Sequence, residues 1–568
     1  MPNDKLTSSD LDRRSFLMSA AMASGVAAAP TTSSAAGPAQ AGSRRQNFLV
    51  IMVDQHNPNC FGYAGHPVVQ TPNIDQLAAS SVNLSRAYVT NPVCMPSRAS
   101  FFTGLTTRGH RVSMNGIPLD WTVPTFTESL RQSGYRTHCV GKLHFRTSGT
   151  LIGGDPAEAA PKQFPEARAH WLAGRVKDLP SPYYGFESVD YANGHGPGTW
   201  GHYLHWLERE HPREFNVFRE KTALEPPSPA FHHYNRTSFK WALPQAVHPT
   251  TWVADRTIDY LSAAKESGGD QPFFLFCSIA DPHSPFAPPK ELAYKYKEAD
   301  VVPPLRQEGE LDRMPPHYRA QWETDLITSG SKGQAMGATD PYRAECAAHY
   351  YALIDLVDQS VGRVLKALRD NDLDENTVVI FAADHGEALG DHSMWGKWGK
   401  GPYHCDSVVR VPLLMRWPGH FEAGYKHEGV VSYVDIAPTI LEIAGVPIPV
   451  GPTPPTPEAL SAPSPWPGRS LVPVLTGADR STESTALIEG DEDYLGFRMR
   501  TLVTRRYRLT AYSGQSYSEL FDFQEDPNEF QNRWEDPSRR GLRDGLRIQL
   551  LDKIMETDYP LPRQTSRS

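Results

Sequence analysis

The sequence predicts an α/β fold: a mostly parallel central sheet flanked by helices, followed by a smaller C-terminal α+β subdomain. Three observations carry that prediction. Four short runs are apolar without interruption, as strands buried on both faces must be. They are Asn47 to Val53 (closed by Asp54), Pro272 to Cys277, Thr377 to Ala382, and Val411 to Met415. Between the second and third lies a helical stripe of Leu353, Val357, Val361, Val364, Leu365 and Leu368. The chain of 568 residues is also rich in Pro (50) and Gly (43), which suits a loop-rich α/β enzyme better than a helical bundle. Strands alternating with helices imply a doubly wound sheet, whose ligands gather at the carboxyl ends of the strands.

The same reading divides the chain. Residues 1–43 are a leader and tail, 44–447 the catalytic domain, 448–470 a proline-rich surface linker, and 471–568 the C-terminal subdomain. Within the last, Arg498 to Phe523 predicts antiparallel strands and Arg539 to Glu556 a closing helix. The stretches Arg146 to Val247 and Lys290 to Pro341 read as long excursions from the sheet, and long ordered loops are usually functional. Trp200, His202, His205, Trp206, His232, His233 and Tyr234 lie in the first of them. They either line a sugar or aryl pocket or form local loop cores.

Composition narrows the partners. A formal charge of -9 gives no basic field, so neither nucleic acid nor an anionic membrane is expected as a partner. Any anion site must be built from a few local cations. Six cysteines without a CxxC pair or zinc spacing predict buried thiols rather than a disulfide framework. At the N-terminus, Asp12-Arg13-Arg14-Ser15-Phe16-Leu17 precedes an Ala-rich stretch that is too short and polar to span a bilayer. It resembles a twin-arginine export signal, which implies a periplasmic or secreted protein.

The chemistry-bearing residues sit where strands stop. The first run delivers Asp54 with Gln55 and His56; the third delivers Asp384-His385-Gly386-Glu387. Two strand-end carboxylates with an imidazole can converge on one divalent cation, with calcium, magnesium or manganese suited to oxygen-rich ligation. Taken alone, Asp-His-Gly is equally a strand-to-loop turn. The run Cys94-Met95-Pro96-Ser97-Arg98, with Gly104 beyond, predicts a short helix with Cys94 at its N-terminus, where negative charge is favoured. That position reads as a low-pKa nucleophile or as a buried structural cysteine.

Cys-x-Pro-Ser-Arg resembles the signature that formylglycine-generating enzymes recognise in type I sulfatases. Asn91-Pro92-Val93, Thr71-Pro72-Asn73-Ile74-Asp75, Gly141-Lys142-Leu143-His144, Asp384-His385-Gly386, Arg410-Val411-Pro412-Leu413 and Asp435-Ile436-Ala437-Pro438-Thr439 are similar to that family as well. So are Leu520-Phe521-Asp522 and Asp526-Pro527-Asn528-Glu529 near the C-terminus. The resemblance implies an alkaline-phosphatase-like fold, and Cys94 converted to formylglycine by a generating enzyme during maturation. It also implies one divalent cation, calcium with manganese as the alternative, held by Asp54, Gln55, Asp384, His385 and residue 94. Arg98, Lys142, His144, His283 and Lys400 would complete the catalytic set, with Lys397 a rival for Lys400. His283 would sit near the leaving oxygen. The implied substrate is a small organic sulfate or a sulfated sugar. Gln55 and His385 depart from the sulfatases that carry a second aspartate and an asparagine there. They resemble phosphonate monoester and phosphate diester hydrolases of the same superfamily, which stand as the alternative activity. A sulfatase fold kept only for binding is the alternative of another class.

Overall fold

A computed structural model of the chain describes residues 45–149, 160–226, 238–268, 271–324, 340–394, 403–448, 467–492 and 496–558. The Arg13-Arg14 segment, residues 449–466 of the proline-rich linker, His232 to Tyr234, Lys397 and Lys400 lie outside them. The described residues form one compact unit.

Strands β1 (Asn47–Val53), β2 (Val82–Tyr88), β3 (Arg136–Gly141), β4 (Ser188–Asn193), β5 (Trp200–Gly201), β6 (Phe273–Ile279), β7 (Thr377–Ala383), β8 (Arg410–Val411), β9 (Leu413–Arg416) and β10 (Lys426–Ser432) make one sheet. Their order is β10-β2-β9-β7-β1-β6-β3-β4-β5, with β8 beside β2. The centre is the apolar runs foreseen from sequence: every residue of β1, β6 and β7 is buried. Each such Val, Ile, Leu or Phe contributes about 1.5–3 kcal/mol by leaving water. β1 pairs in parallel with both β6 and β7, and β3 in parallel with β6 and β4.

The fourth apolar run departs from expectation. Leu413–Arg416 is antiparallel to both β7 and β2, so the sheet is mixed. Pro412, which has no N–H to donate, separates it from β8. Among the described residues, the connection from β7 holds only a short 3-10 turn and one helical turn. A parallel return needs a crossover, usually a helix, and the described part of this connection carries none. The first excursion is also more regular than its sequence suggests: β4 joins the sheet, and His202–Glu210 and Pro212–Glu220 are helical.

Three helices matter for the site. α1 (Cys94–Thr103) is buried along its whole length and ends on Gly104 in the left-handed conformation. α2 (Pro249–Glu266) packs on β6, and α3 (Asp340–Asp370) packs on α2, burying the foreseen stripe from Leu353 to Leu368. No helix of the described residues is long and apolar enough to cross a membrane. All six cysteines are free and buried.

A second sheet of β11 (Ala486–Glu492), β12 (Phe497–Val503), β13 (Tyr507–Tyr512) and β14 (Ser518–Asp522) is antiparallel throughout, and α4 (Arg540–Glu556) covers it. Buried Arg508 is clamped by Glu519 at 2.7 Å and by Glu529, which in turn accepts the Asp406 N–H. Glu489 N–H donates to Thr90, and Asn91 donates to the Glu489 carbonyl at 2.8 Å. The C-terminal sheet thereby supports the segment that leads into Cys94.

Gly141 ends β3 at φ +101°, and a Cβ there would stand 2.0 Å from the Ser278 carbonyl oxygen. Gly141→Ala is therefore expected to cost roughly 2–4 kcal/mol, through strain and a pushed-apart β3–β6 pair. Thermal melts check this; a variant that melts with the wild type contradicts it.

Candidate active site

Five neighbouring strands, β7, β1, β6, β3 and β4, run in parallel and stop on the same edge of the sheet. Directly after them come Asp384 and His385, Asp54 and Gln55, Asp281 and His283, Lys142 and His144, and His195. The strand ends are laced together: Asp384 N–H donates to Val53 and His56 N–H to His385, each at 3.0 Å. α1 then brings Cys94 to the same place.

Ligand atoms of Asp54, Cys94, Asp384 and His385 all lie within 4.8 Å of one another, and all four residues are buried. Cys94 Sγ is 3.2 Å from His385 Nε2 and 3.9 Å from Asp54 Oδ1. His385 Nε2 is 3.5 Å from Asp54 and 3.6 Å from Asp384. Two buried carboxylates converging with an imidazole and a residue at a helix N-terminus form a donor set that fits a divalent cation. Gln55 adjoins it. Its backbone, at φ +59°, donates to Asp384 Oδ1 at 3.1 Å, and the Tyr350 hydroxyl donates to its carbonyl. Its side-chain NH2 donates to Glu387, and of its two polar side-chain atoms the amide oxygen is the one chemically suited to a cation.

Arg98 has no exposed surface and spends its N–H groups on scaffolding. Nε donates to Asp384 at 2.8 Å, Nη2 to Asp54 at 3.4 Å, and Nη1 to the Lys142 carbonyl and Ser278 Oγ at 2.9 Å each. It is first of all the clamp on the two carboxylates. Lys142 Nζ also donates to Asp54. Burial raises the Asp54 carboxyl, but Lys142 and His283 outweigh it and hold it well below the usual carboxylate range. Burial and Asp54 likewise push the Cys94 thiol up, while Lys142 and His385 turn the net shift downward.

His144 takes a left-handed backbone (φ +61°) and is buried, with Nε2 at 3.1 Å from Ser148 Oγ. Burial, then Lys142 and Arg98, keep its imidazole neutral well below the usual histidine range. His283 presents a nitrogen within the same reach of Asp54, and its ring centroid lies 6.4 Å from that of His385. The structure thus brings together Asp54, Cys94, Arg98, Lys142, His283, Asp384 and His385, with Gln55 bonded to Asp384 and Glu387. Lys400 lies outside the described residues.

Two residues escaped the sequence reading. His195 contacts Lys142 at 2.9 Å and stacks on His283. Glu166 is a buried hub that accepts the backbone N–H groups of His144, Phe145 and Arg146 and the hydroxyls of Tyr183 and Tyr191. The glycine-flanked histidine in Asn193-Gly194-His195-Gly196 was the available signal. Where it is described, the aromatic excursion makes local packing contacts. Trp200 is buried and donates to the Glu166 carbonyl at 3.3 Å, and Trp206 packs on Tyr203 and Trp252.

Asp281 is buried and accepts from Thr250 Oγ1; burial pushes its carboxyl up from 3.8 to about 7. A raised folded-state pKa gives stability that is full below the unfolded value near 3.8 and lost as pH rises through about 7. Asp281→Asn removes that dependence. Between about pH 5 and about pH 8, the wild type should lose melting temperature relative to Asp281→Asn. Parallel melting curves would contradict the assignment.

A sulfatase family profile matches residues 46–172 and 190–446, and one for the C-terminal part of N-sulphoglucosamine sulphohydrolase matches residues 390–556. An arylsulfatase of Clostridium perfringens is 27% identical over 492 residues, covering 86% of this chain and 90% of that one. A multifunctional alkaline phosphatase superfamily protein of Trinickia caryophylli is 28% identical over 524 residues, covering 88% and 93%. Among solved structures, the phosphonate monoester hydrolase of Agrobacterium radiobacter superposes with a TM-score of 0.72 at 26% identity, covering 90% of this chain and 96% of that one.

Proposed function

The chain belongs to the sulfatase family and is an enzyme of it, and from that premise we propose that it hydrolyses the sulfate ester of a small organic alcohol or sugar at Cys94 converted to formylglycine. The observation that carries the reading is the convergence of Asp54, Cys94, Asp384 and His385 within 4.8 Å, with Arg98 and Lys142 bonded to the carboxylates.

Asp54, Asp384, His385 and Gln55 would hold the divalent cation, whose charge polarises oxygens and lowers the pKa of hydroxyls placed on it. An aldehyde at residue 94 hydrates to two hydroxyls, one a nucleophile and the other able to release the bound acid without a second attack on sulfur. The chain's own groups do the rest. Asp384 takes the proton of the attacking hydroxyl. Lys142, Lys400 and the positive end of the α1 dipole offset charge on the non-bridging oxygens of the ester, where fixed cations and dipoles act most strongly. Arg98 keeps Asp54 and Asp384 in place. His283 gives a proton to the departing oxygen, and neutral His144 accepts the proton of the second hydroxyl. Maturation requires a formylglycine-generating enzyme. Export by the twin-arginine route to the periplasm or beyond fits such a cargo, which folds and is modified first.

Gln55 and His385 favour a second reading, a phosphonate monoester or phosphate diester hydrolase, and the Agrobacterium radiobacter hydrolase is a relative that supports it. A site with fewer anionic ligands suits manganese as well as calcium. Rates on an aryl sulfate and on an aryl phosphonate monoester, each with calcium and with manganese, separate the two. The sulfate is expected to have the higher kcat/KM; a preference for the phosphonate overturns the first reading.

A further inference from the structure

Asp54, His195 and His283 offer ligand atoms within 4.8 Å of one another, a spacing that by itself suits a second cation. A cation of the chain already sits there. Lys142 Nζ is bonded to Asp54 Oδ2 and lies 2.9 Å from His195 Nε2, itself 3.6 Å from Asp54 Oδ2. An ammonium has protons to give and no lone pair, so Nε2 is the acceptor and the His195 proton is on Nδ1. The other face of the arrangement is a stack: the His195 and His283 rings are parallel within 5°, with centroids 3.5 Å apart. His195 therefore touches both groups that the proposed reaction aims at the ester, the lysine of the anion cradle and the histidine of the leaving oxygen.

Its own placement is built in. Gly194 (φ +88°) and Gly196 (φ +44°) flank it, and a Cβ at Gly194 would stand 2.5 Å from the Gly198 carbonyl oxygen. Asn193 donates to Glu166 at 3.3 Å, the same carboxylate that accepts the amides just beyond Lys142. One buried carboxylate thus ties the His195 loop to the Lys142 loop.

We propose that His195 is a positioning residue with two separable tasks: through Nε2 it directs the Lys142 ammonium, and through its ring face it holds His283 toward the departing oxygen. The inference rests on the roles given above to Lys142 and His283. Two variants of the full-length, matured enzyme divide the tasks. His195→Gln keeps an acceptor for Lys142 and loses the aromatic face; His195→Phe keeps the face and loses the acceptor.

The test is kcat and KM on aryl sulfates of graded leaving-group basicity, with bound metal and melting temperature measured on each variant. His195→Phe should lose about tenfold in kcat or more, evenly across the series, because Lys142 faces oxygens that do not depart. His195→Gln should lose little on the best leaving group and about tenfold or more on the poorest, as expected when proton donation is misaligned. Metal content should stay at the wild-type level. Both variants within about twofold of wild type across the series would overturn the proposal, as would two identical, leaving-group-independent losses. His283→Ala, run alongside, separates the layers. If its own loss is flat across the series, the leaving-group role of His283 falls and takes the stacking task with it. If its loss steepens while the His195→Gln loss is flat, only the inference about His195 fails.

Discussion

Cys94→Ser is expected to keep the fold and to lose multiple turnover, by more than roughly a thousandfold in kcat. The substitution exchanges sulfur for oxygen at the first residue of α1, a buried position whose neighbours tolerate a small polar group. A serine hydroxyl between Asp54, His385 and the helix N-terminus can still attack an ester. Once esterified it has no second hydroxyl to expel sulfate, and release then needs water to attack sulfur again. Rapid mixing with an aryl sulfate should therefore show at most one equivalent of phenol per chain and then nothing. Cys94→Ala should show no such burst. A Cys94→Ser enzyme that cycles within about tenfold of wild type would mean that the nucleophile lies elsewhere.

The second large effect is on stability. Arg98→Met should cost roughly 3–5 kcal/mol, the range for breaking a buried ion pair on one side. The arginine is fully buried against two fully buried carboxylates at 2.8 and 3.4 Å, and it also satisfies the Lys142 carbonyl and Ser278 Oγ. Methionine fills much of the volume, so the loss comes from unpaired charge rather than from a void. Added divalent cation should recover part of it, because a cation held at the proposed site would face the same carboxylates. Urea melts with chelator and with excess calcium or manganese test this. A variant within about 1 kcal/mol of wild type in chelator would show that Arg98 is not the clamp described.

How much of this was legible in the sequence follows from what each feature depends on. β1, β6 and β7 were readable because a strand buried on both faces must be apolar without a break, and their terminal aspartates could be placed at the sheet edge. α1 was readable from Cys94, Pro96 and Gly104, whose backbone preferences mark a start and an end. The direction of Leu413–Arg416 was not, since four apolar residues look alike in either orientation; direction depends on the length and path of the connection. His195 was hidden for a similar reason. Its strand, Ser188–Asn193, is only half-buried at its start and carries no apolar run, so nothing local says that it extends the sheet beside β3. Glu166 is a lone carboxylate within an excursion, and its partners at 144–146 and at 183–193 meet only in three dimensions. Arg98 lay in a motif that placed it in the catalytic set, while its bonds to Asp54 and Asp384 depend on where two distant strands end.

The proposed chemistry stands on residue 94. The most direct measurement is mass spectrometry of the peptide that contains it, made on preparations matured to different extents by a formylglycine-generating enzyme and paired with sulfate release from an aryl sulfate. The expected result is turnover that rises in proportion to the aldehyde fraction at residue 94 and is absent from protein carrying only the thiol. Full turnover by the unmodified thiol, or none from fully converted protein with its cation bound, would contradict the assignment.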